Sequence, residues 1–286
     1  MSAAAAEDWT KWVGRSEQLR DSIAAGRAQA MQATLDDAEA PLHPGDALPP
    51  LWHWAYFWSL APTASLGPDG HAARGGFLPP IPLPRRMWAG SRVAFPRPLE
   101  VGSEVSRHST IKSVEEKSGR SGRLAFVTVE HVIADAEGPC VVEEHDIVYR
   151  EAGEKGAPLP AGEAPPQAGA WRQEVVPSPV LLFRYSALTF NGHRIHYDQP
   201  YTTQEEGYPG LIVHGPLLAT LMIGQLRRHL PRARATRFAF RARRPIFDTR
   251  PFAVCGAPDE AAGRAELWVE DPDGYLAMQG EVAWSS

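Results

Sequence analysis

The sequence predicts an α+β fold in which antiparallel sheet wraps around buried helix, and three observations predict it. Most of the chain reads as strand, with period-two alternation clearest in LAFVTVEHVIA (124–134), and each half carries one helix. The segment VHGPLLATLMIGQLRRHL (213–230) reads as a helix that is apolar on more than one face. A similar order of elements also occurs twice along the chain.

The elements follow from local chemistry. Ala24, Ala28, Met31 and Leu35 fall at helical spacing and predict an amphipathic helix over roughly 22–36. Residues 124–134 alternate around β-branched and aromatic side chains, as a long strand does. Gly215-Pro216 opens the second helix, because proline suits the first helical position. Leu217, Leu218, Leu221, Met222, Ile223 and Leu226 then require burial. A buried helix followed by an antiparallel meander means a sheet curled round it, the hot-dog arrangement. Asp271-Pro272-Asp273-Gly274 supplies the turn of a hairpin between 264–270 and 275–284.

APLPAGEAPPQAGA (157–170) has no periodic apolar face and reads as a connector. The predicted organisation is an N-terminal half (1–155), a linker (156–170) and a C-terminal half (171–286). SRVAFPRPLEVG (91–102) resembles TRFAFRARRPIFDT (236–249), and GRLAFVTVEHVIADAEG (122–138) resembles GRAELWVEDPDG (263–274). HDIVYR (145–150) and EVAWSS (281–286) close each series. Two unrelated meanders would share the period, but the shared order favours duplication. The predicted fold is thus a double hot dog, two antiparallel sheets each wrapped on a helix.

Composition narrows the function classes. Hydrophobic residues make up 43% of the 286, too many for a disordered chain. A net charge of −5 argues against nucleic-acid binding by bulk electrostatics. Two cysteines, Cys140 and Cys255, suit a reduced compartment. The start MSAAAAEDW lacks the basic and apolar regions of a signal peptide. LWHWAYFWSL (51–60) is too short to span a membrane and contains His53. A soluble cytoplasmic protein is expected, with no membrane or nucleic-acid partner.

FNGHRIHYD (190–198) concentrates proton-handling groups: Asn191, His193, Arg194, His196, Tyr197 and Asp198. A metal site on His193, His196 and Asp198 would lack a cysteine and would place Arg194 beside the cation, so no metal is expected. Acid/base chemistry fits better, because histidine titrates near neutrality and an asparagine can fix a water. For a single histidine, structural satisfaction by backbone is the ordinary reading. Two histidines and an asparagine ahead of a glycine-started buried helix favour function. The first turn of that helix, at Gly215, offers backbone N–H groups to a developing oxyanion.

These residues carry a resemblance. LTFNGHRIHYD (188–198), followed by GYPGLIVHGPLLATLM (207–222), resembles the signature of the MaoC-like hydratases, which have hot-dog folds. The resemblance puts that family's catalytic Asp at Asn191, its catalytic His at His196, its Asn at His193 and its Pro at Arg194. It puts the oxyanion donor around Gly215 and makes His214 the His of the downstream His-Gly pair, expected against the substrate. The Asp-to-Asn departure leaves His196 as the one clear base in the motif. The form Phe-Asn-x-His-x-Ile-His-Tyr resembles the type 2 hydroxyacyl-thioester dehydratases and the mesaconyl-C4-CoA and itaconyl-CoA hydratases. LPPLWHWAYFW (48–58) and LPRRMWAG (83–90) extend that likeness to the N-terminal half. The resemblance implies a double hot dog whose N-terminal half is degenerate and shapes the acyl pocket. It implies a hydro-lyase that hydrates a 2-enoyl-CoA reversibly, with a short branched dicarboxylic acyl group such as mesaconyl or itaconyl. No cofactor is implied beyond the CoA thioester substrate, and a homodimer is expected. The alternatives are a fatty-acid dehydratase, a hot-dog thioesterase and a non-catalytic acyl-CoA-binding protein.

Arginines offer the remaining candidates. Arg237, Arg241 and Arg243 share one strand face, with Phe238 and Phe240 on the other, and read equally as a CoA-phosphate patch or a solvated strand edge. Arg85 and Arg86, assigned to a proline-rich loop (77–88), and Arg194 are candidates for pairing with a distal carboxylate. Trp52, Trp54, Tyr56 and Trp58 could line a pocket but read better as core or interface packing. Asp198 reads as a partner to the motif or as a solvated loop acid.

Overall fold

The computed structural model describes residues 8–119, 122–152, 155, 156, 159 and 161–286. Residues 1–7, on which the signal-peptide reading rests, and part of the 156–170 connector lie outside them.

The N-terminal half contributes β1 (Ser16–Ser22), α1 (Ala25–Thr34), β2 (Arg85–Ala94), β3 (Glu104–Gly119), β4 (Gly122–Asp135) and β5 (Gly138–Arg150). The C-terminal half contributes β6 (Trp171–Val175), α2 (Pro179–Thr189), α3 (Gly215–His229), β7 (Arg234–Ala242), β8 (Phe252–Asp259), β9 (Arg264–Glu270) and β10 (Leu276–Ser285). Each half orders its strands first, third, fourth, fifth, second. The halves join second strand to second strand, giving β1-β3-β4-β5-β2-β7-β10-β9-β8-β6. The two predicted sheets are therefore one continuous antiparallel sheet of ten strands.

The join depends on a glycine. β2 and β7 pair from Gly90↔Arg241 to Ala94↔Arg237. A Cβ on Gly90 would lie 2.3 Å from the carbonyl oxygen of Phe240, so only glycine permits this approach. Because β7 is paired on both sides, Arg237 and Arg241 do not lie on a sheet edge, and that reading is corrected for them; Arg243 lies just past the strand's end. Arg85 and Arg86 open β2 and pair with Arg150 and Tyr149, so they are strand residues rather than loop residues.

The buried helix is α3. Leu217, Leu218, Met222, Ile223 and Leu226 are all buried, in one core with Phe238, Phe240, Val254, Leu267 and Val282 of β7 to β10. Each such leucine contributes roughly 1.5–3 kcal/mol through burial. α1 is shorter than its predicted 22–36, because β1 runs to Ser22 and takes the N-terminal part. α2 lies outside the expectation of one helix per half. Its signals are Ser178, whose side chain accepts the Leu181 N–H, and Pro179 at the first turn.

Candidate active site

α2 and α3 together position the Asn-His motif. α2 ends at Thr189, and Phe190 caps it in the left-handed region (φ 52°). The Asn191 N–H then donates to the Ser186 carbonyl at 2.8 Å. Asn191 Oδ1 accepts the His193 N–H at 3.0 Å, so its NH2 group is the end left for a ligand. Arg194–His196 form a single 3-10 turn that aims His196 back towards α3.

His196 is buried at 7% exposure. Its Nδ1–H donates to the Ile212 carbonyl at 2.7 Å. A carbonyl can only accept, so the neutral ring keeps its lone pair on Nε2 and is a base there. Burial pushes the His196 pKa down to about 4, opposed by the bond to Ile212. The ring is therefore neutral at pH 7. Behind it, His214 stacks at 3.7 Å and 18° and bonds Ser186 Oγ through Nε2 at 2.8 Å. His214 is 0% exposed and does not line the cleft, which corrects its expected contact with the substrate. It backs His196 instead.

A cleft of about 2410 Å³ holds Asn191, His193, His196 and Gly215 on one wall. Gly215 begins α3, and Pro216 follows it. The helix's own i to i−4 ladder starts at the Leu218 N–H, which leaves the Gly215 N–H for a ligand.

The N-terminal half supplies the facing wall. The Arg194 N–H donates to the Asp69 carbonyl at 2.9 Å, and the Arg194 guanidinium reaches the Pro68 carbonyl at 2.9 Å. His71 lies 4.1 Å from the His193 ring and bonds Asp69 Oδ2 through Nδ1 at 2.9 Å. That bond holds the Asp69 carboxyl well below its usual range. Asp69 and His71 thus form an oriented dyad facing the cleft. Burial lowers the pKa of His71 and takes that of His193 to about 2, each with further contributions from neighbouring charges.

Asp69, His71 and His193 could each turn a ligand atom to within 4.8 Å of the other two. Both Asp69 oxygens already accept from His71, one from its ring and one from its N–H. Asp69 and His71 are thus tied to each other as a hydrogen-bonded dyad. Nor do the residues weighed in the sequence converge on a cation. His196 Nδ1 is bonded to Ile212, and Asp198 accepts from Arg194 and from the Tyr201 N–H.

The family model for hydroxyacyl-thioester dehydratase type 2 matches residues 51–248. A mesaconyl-C(4)-CoA hydratase of Chloroflexus aurantiacus is 49% identical over 278 residues, covering 96% of this chain and 97% of that protein. The mitochondrial hydroxyacyl-thioester dehydratase type 2 of Schizosaccharomyces pombe is 29% identical, covering 85% and 87%. The chain belongs to the type 2 hydroxyacyl-thioester dehydratase family. Among solved structures, a MaoC-like dehydratase from Phytophthora capsici superposes with a TM-score of 0.70 at 16% identity, covering 97% and 98%. A Mycobacterium tuberculosis protein described as a double hotdog superposes with a TM-score of 0.57 at 13% identity, covering 96% of each chain. These likenesses establish the double hot-dog fold.

Within this dehydratase the arginines divide. Arg194 is engaged by the scaffold: it pairs with Asp198, bonds Pro68 and lies over Tyr201 at 4.0 Å. Asp198 is thereby a partner to the motif rather than a solvated acid. Arg85 lines the cleft but faces Glu206 at 3.5 Å. Arg86 lines it as well and stands opposite Tyr149 in the strand register. Arg241 and Arg243 are exposed at its rim, while Arg237 lies on the same sheet face outside it.

The sequence reading missed a second, smaller cavity. It holds about 280 Å³ and shares Ser59, Trp88, His145, Asn191 and Pro216 with the cleft. Trp54, Tyr56 and Trp58 line it, so these rings are also pocket wall, while Trp52 and Tyr56 belong to the core and Trp54 packs against it, as expected. The signal was present in the strands. His131 interrupts the apolar face Ala125-Val127-Val129-Ile133, and Glu143 and His145 interrupt Val141-Ile147-Tyr149. Polar residues at core-facing positions mark a built feature. Asp69 and His71 carry no comparable signal, since nothing local says which loop will reach the motif.

Proposed function

We propose that this dehydratase hydrates the double bond of a 2-enoyl-CoA and, in reverse, dehydrates the 3-hydroxyacyl-CoA. A short branched dicarboxylic acyl group of the mesaconyl-C4 kind is the preferred substrate. The observation that carries the reading is His196, whose Nδ1–H is held by Ile212 so that Nε2 is a base beside Asn191. The likeness to a mesaconyl-C(4)-CoA hydratase over almost the whole chain supports the substrate class.

The thioester carbonyl sits at the Gly215 N–H, which together with the helix dipole stabilises the charge gained as the enolate forms. The Asn191 NH2 group and His196 Nε2 hold the water. His196 Nε2 takes a proton from the water as its oxygen bonds to Cβ, and the imidazolium then returns that proton to Cα of the enolate, which leaves the ring neutral again. His193 packs against His196 at 5.5 Å, edge to face, and confines that water. Arg241 and Arg243 at the rim suit the CoA phosphates. Cytoplasmic location is part of the proposal, supported by two buried free thiols, Cys140 and Cys255. Among the described residues no helix is long and apolar enough to cross a membrane. A homodimer is also proposed, supported by the exposed Val176, Val180 and Phe183 around the start of α2.

The test is hydration of mesaconyl-C4-CoA and crotonyl-CoA by wild type, His196→Ala and Asn191→Ala, with the product identified by mass. Hydration by wild type that is lost in both variants is expected. Release of free CoA without hydration would replace this reading with a thioesterase. Binding without turnover would replace it with an acyl-CoA-binding protein.

A further inference from the structure

The small cavity beside Asn191 is chemically unlike a hole for a hydrocarbon chain. It lies between the inner face of β3 to β5 and the adjoining ends of α2 and α3. Three neighbouring strands each place polar groups there: Arg107 on β3, His131 on β4, and Glu143 and His145 on β5. The register puts Glu143 opposite His131, and Arg107 opposite Ile133, one step along the same face. Above and below this patch the inward positions return to Val105, Ile111, Val129 and Val141, all buried. The polar patch is therefore confined to the cavity.

Its charges do not close on themselves. Glu143 is 3% exposed and fully engaged, accepting from His53, Trp54 Nε1 and Ser91 Oγ. Glu143 is thus taken up by other donors. Arg107 Nε and His145 Nε2 are buried without a partner among the described residues. Arg107 Nη2 forms a loose ion pair with Glu17 at 3.7 Å, which leaves the buried Nε–H without a hydrogen-bond acceptor. A buried guanidinium donor left unpaired is costly, and a ligand carboxylate removes that cost. A fatty acyl chain would leave both groups unsatisfied and bury them more deeply.

We infer that Arg107 is the specificity-determining residue of the acyl pocket, anchoring the distal carboxylate of a short dicarboxylic acyl-CoA, with His145 as the second donor. The inference rests on the hydratase reading of the site and adds to it the group that selects the substrate. Among the described residues Arg107 is the one arginine that lines this cavity, of which Asn191 also forms part of the wall. Arg85 and Arg86 line only the larger cleft, and Arg194 is held by Asp198. The cavity's size, about 280 Å³, lies at the small end for ligand sites and fits a branched acyl group of a few carbons.

The experiment measures kcat/KM for mesaconyl-C4-CoA and crotonyl-CoA in wild type, Arg107→Met and Arg107→Lys. Crotonyl-CoA lacks the carboxylate and reports on the catalytic groups and on folding. Arg107→Met is expected to shift the selectivity ratio towards crotonyl-CoA by about 100-fold, because a site built to hydrogen-bond a substrate group discriminates strongly against its absence. Arg107→Lys is expected to recover part of that ratio. An equal fall for both substrates would make Arg107 structural and overturn the inference. So would a wild type that hydrates crotonyl-CoA and ignores mesaconyl-C4-CoA, though the hydratase reading would survive. A wild type that hydrates neither would remove both.

Discussion

The two halves share one strand order and differ in what lies inside the sheet. In the C-terminal half α3 runs 15 residues, is apolar nearly all round and opens at Gly215. In the N-terminal half α1 runs 10 residues and follows Ala24, an N-cap position with no side-chain cap. Residues 35–84 then take the place of a longer helix, and their Trp54, Tyr56 and Trp58 wall a polar cavity. The same topology therefore serves two purposes. The long buried helix brings its N-terminus to the large cleft, whereas the short one leaves room for the smaller cavity. The halves also exchange residues across their join, since the Asp69–His71 dyad faces His193 of the other half.

The comparison assigns chemistry to one half and selection to the other, and mutants can break that assignment. His196→Ala should lower kcat by about 10²–10⁴-fold, the usual contribution of a positioned general base. Steady-state turnover checks it, and a fall below tenfold would move the chemistry elsewhere. His71→Ala should lower kcat by about tenfold, since the ring touches His193 rather than His196. A loss as large as that of His196→Ala would make the N-terminal half an equal catalytic partner.

Acid should affect activity and stability through the same buried rings. Burial depresses His131 to about 3, His145 and His196 to about 4, and His193 to about 2, from an ordinary value of 6.5. The unfolded chain binds protons near pH 6.5 that the folded chain refuses. Stability should be full above that pH and decline as pH falls from 6.5 towards 4. Turnover should stay level through neutrality and fall only as pH approaches 4, where His196 gains its proton. Denaturant melts and rate profiles over pH 4–8 check both; a rate that declines with the first proton near 6.5 would mean a solvated base.

Two smaller effects sharpen the structural side. Gly90→Ala pushes a methyl against the Phe240 carbonyl at the β2–β7 pair that joins the halves. A stability loss of about 1–3 kcal/mol is expected, measured by urea melts. Ser178→Ala removes the cap of α2 and should cost about 1 kcal/mol, with little change in kcat.

Much of this was legible in one dimension. The Gly-Pro helix start, the apolar run after it and the hairpin at 271–274 are local signals, and each forms where it was read. The Asn-His motif was legible because its groups lie within nine residues of one another. α2 was not read, although Ser178-Pro179 announced it, because its buried face is reduced to Leu182, Tyr185 and Ser186. Arg85 and Arg86 were assigned to a loop because prolines precede them, yet pairing with β5 draws them into a strand.

The sequence by itself determined the period of each element, the buried helix and the cluster of groups around residues 190–198. These depend on near neighbours, whose spacing fixes which side chains share a face. Only the tertiary structure decided that two sheets become one, that His214 backs His196 rather than meeting the substrate, and that Asp69, His71 and Arg107 converge on the motif. The reason is distance along the chain. Residues 84 or more positions apart meet through strand register and loop closure, and no local propensity encodes which partners those will be.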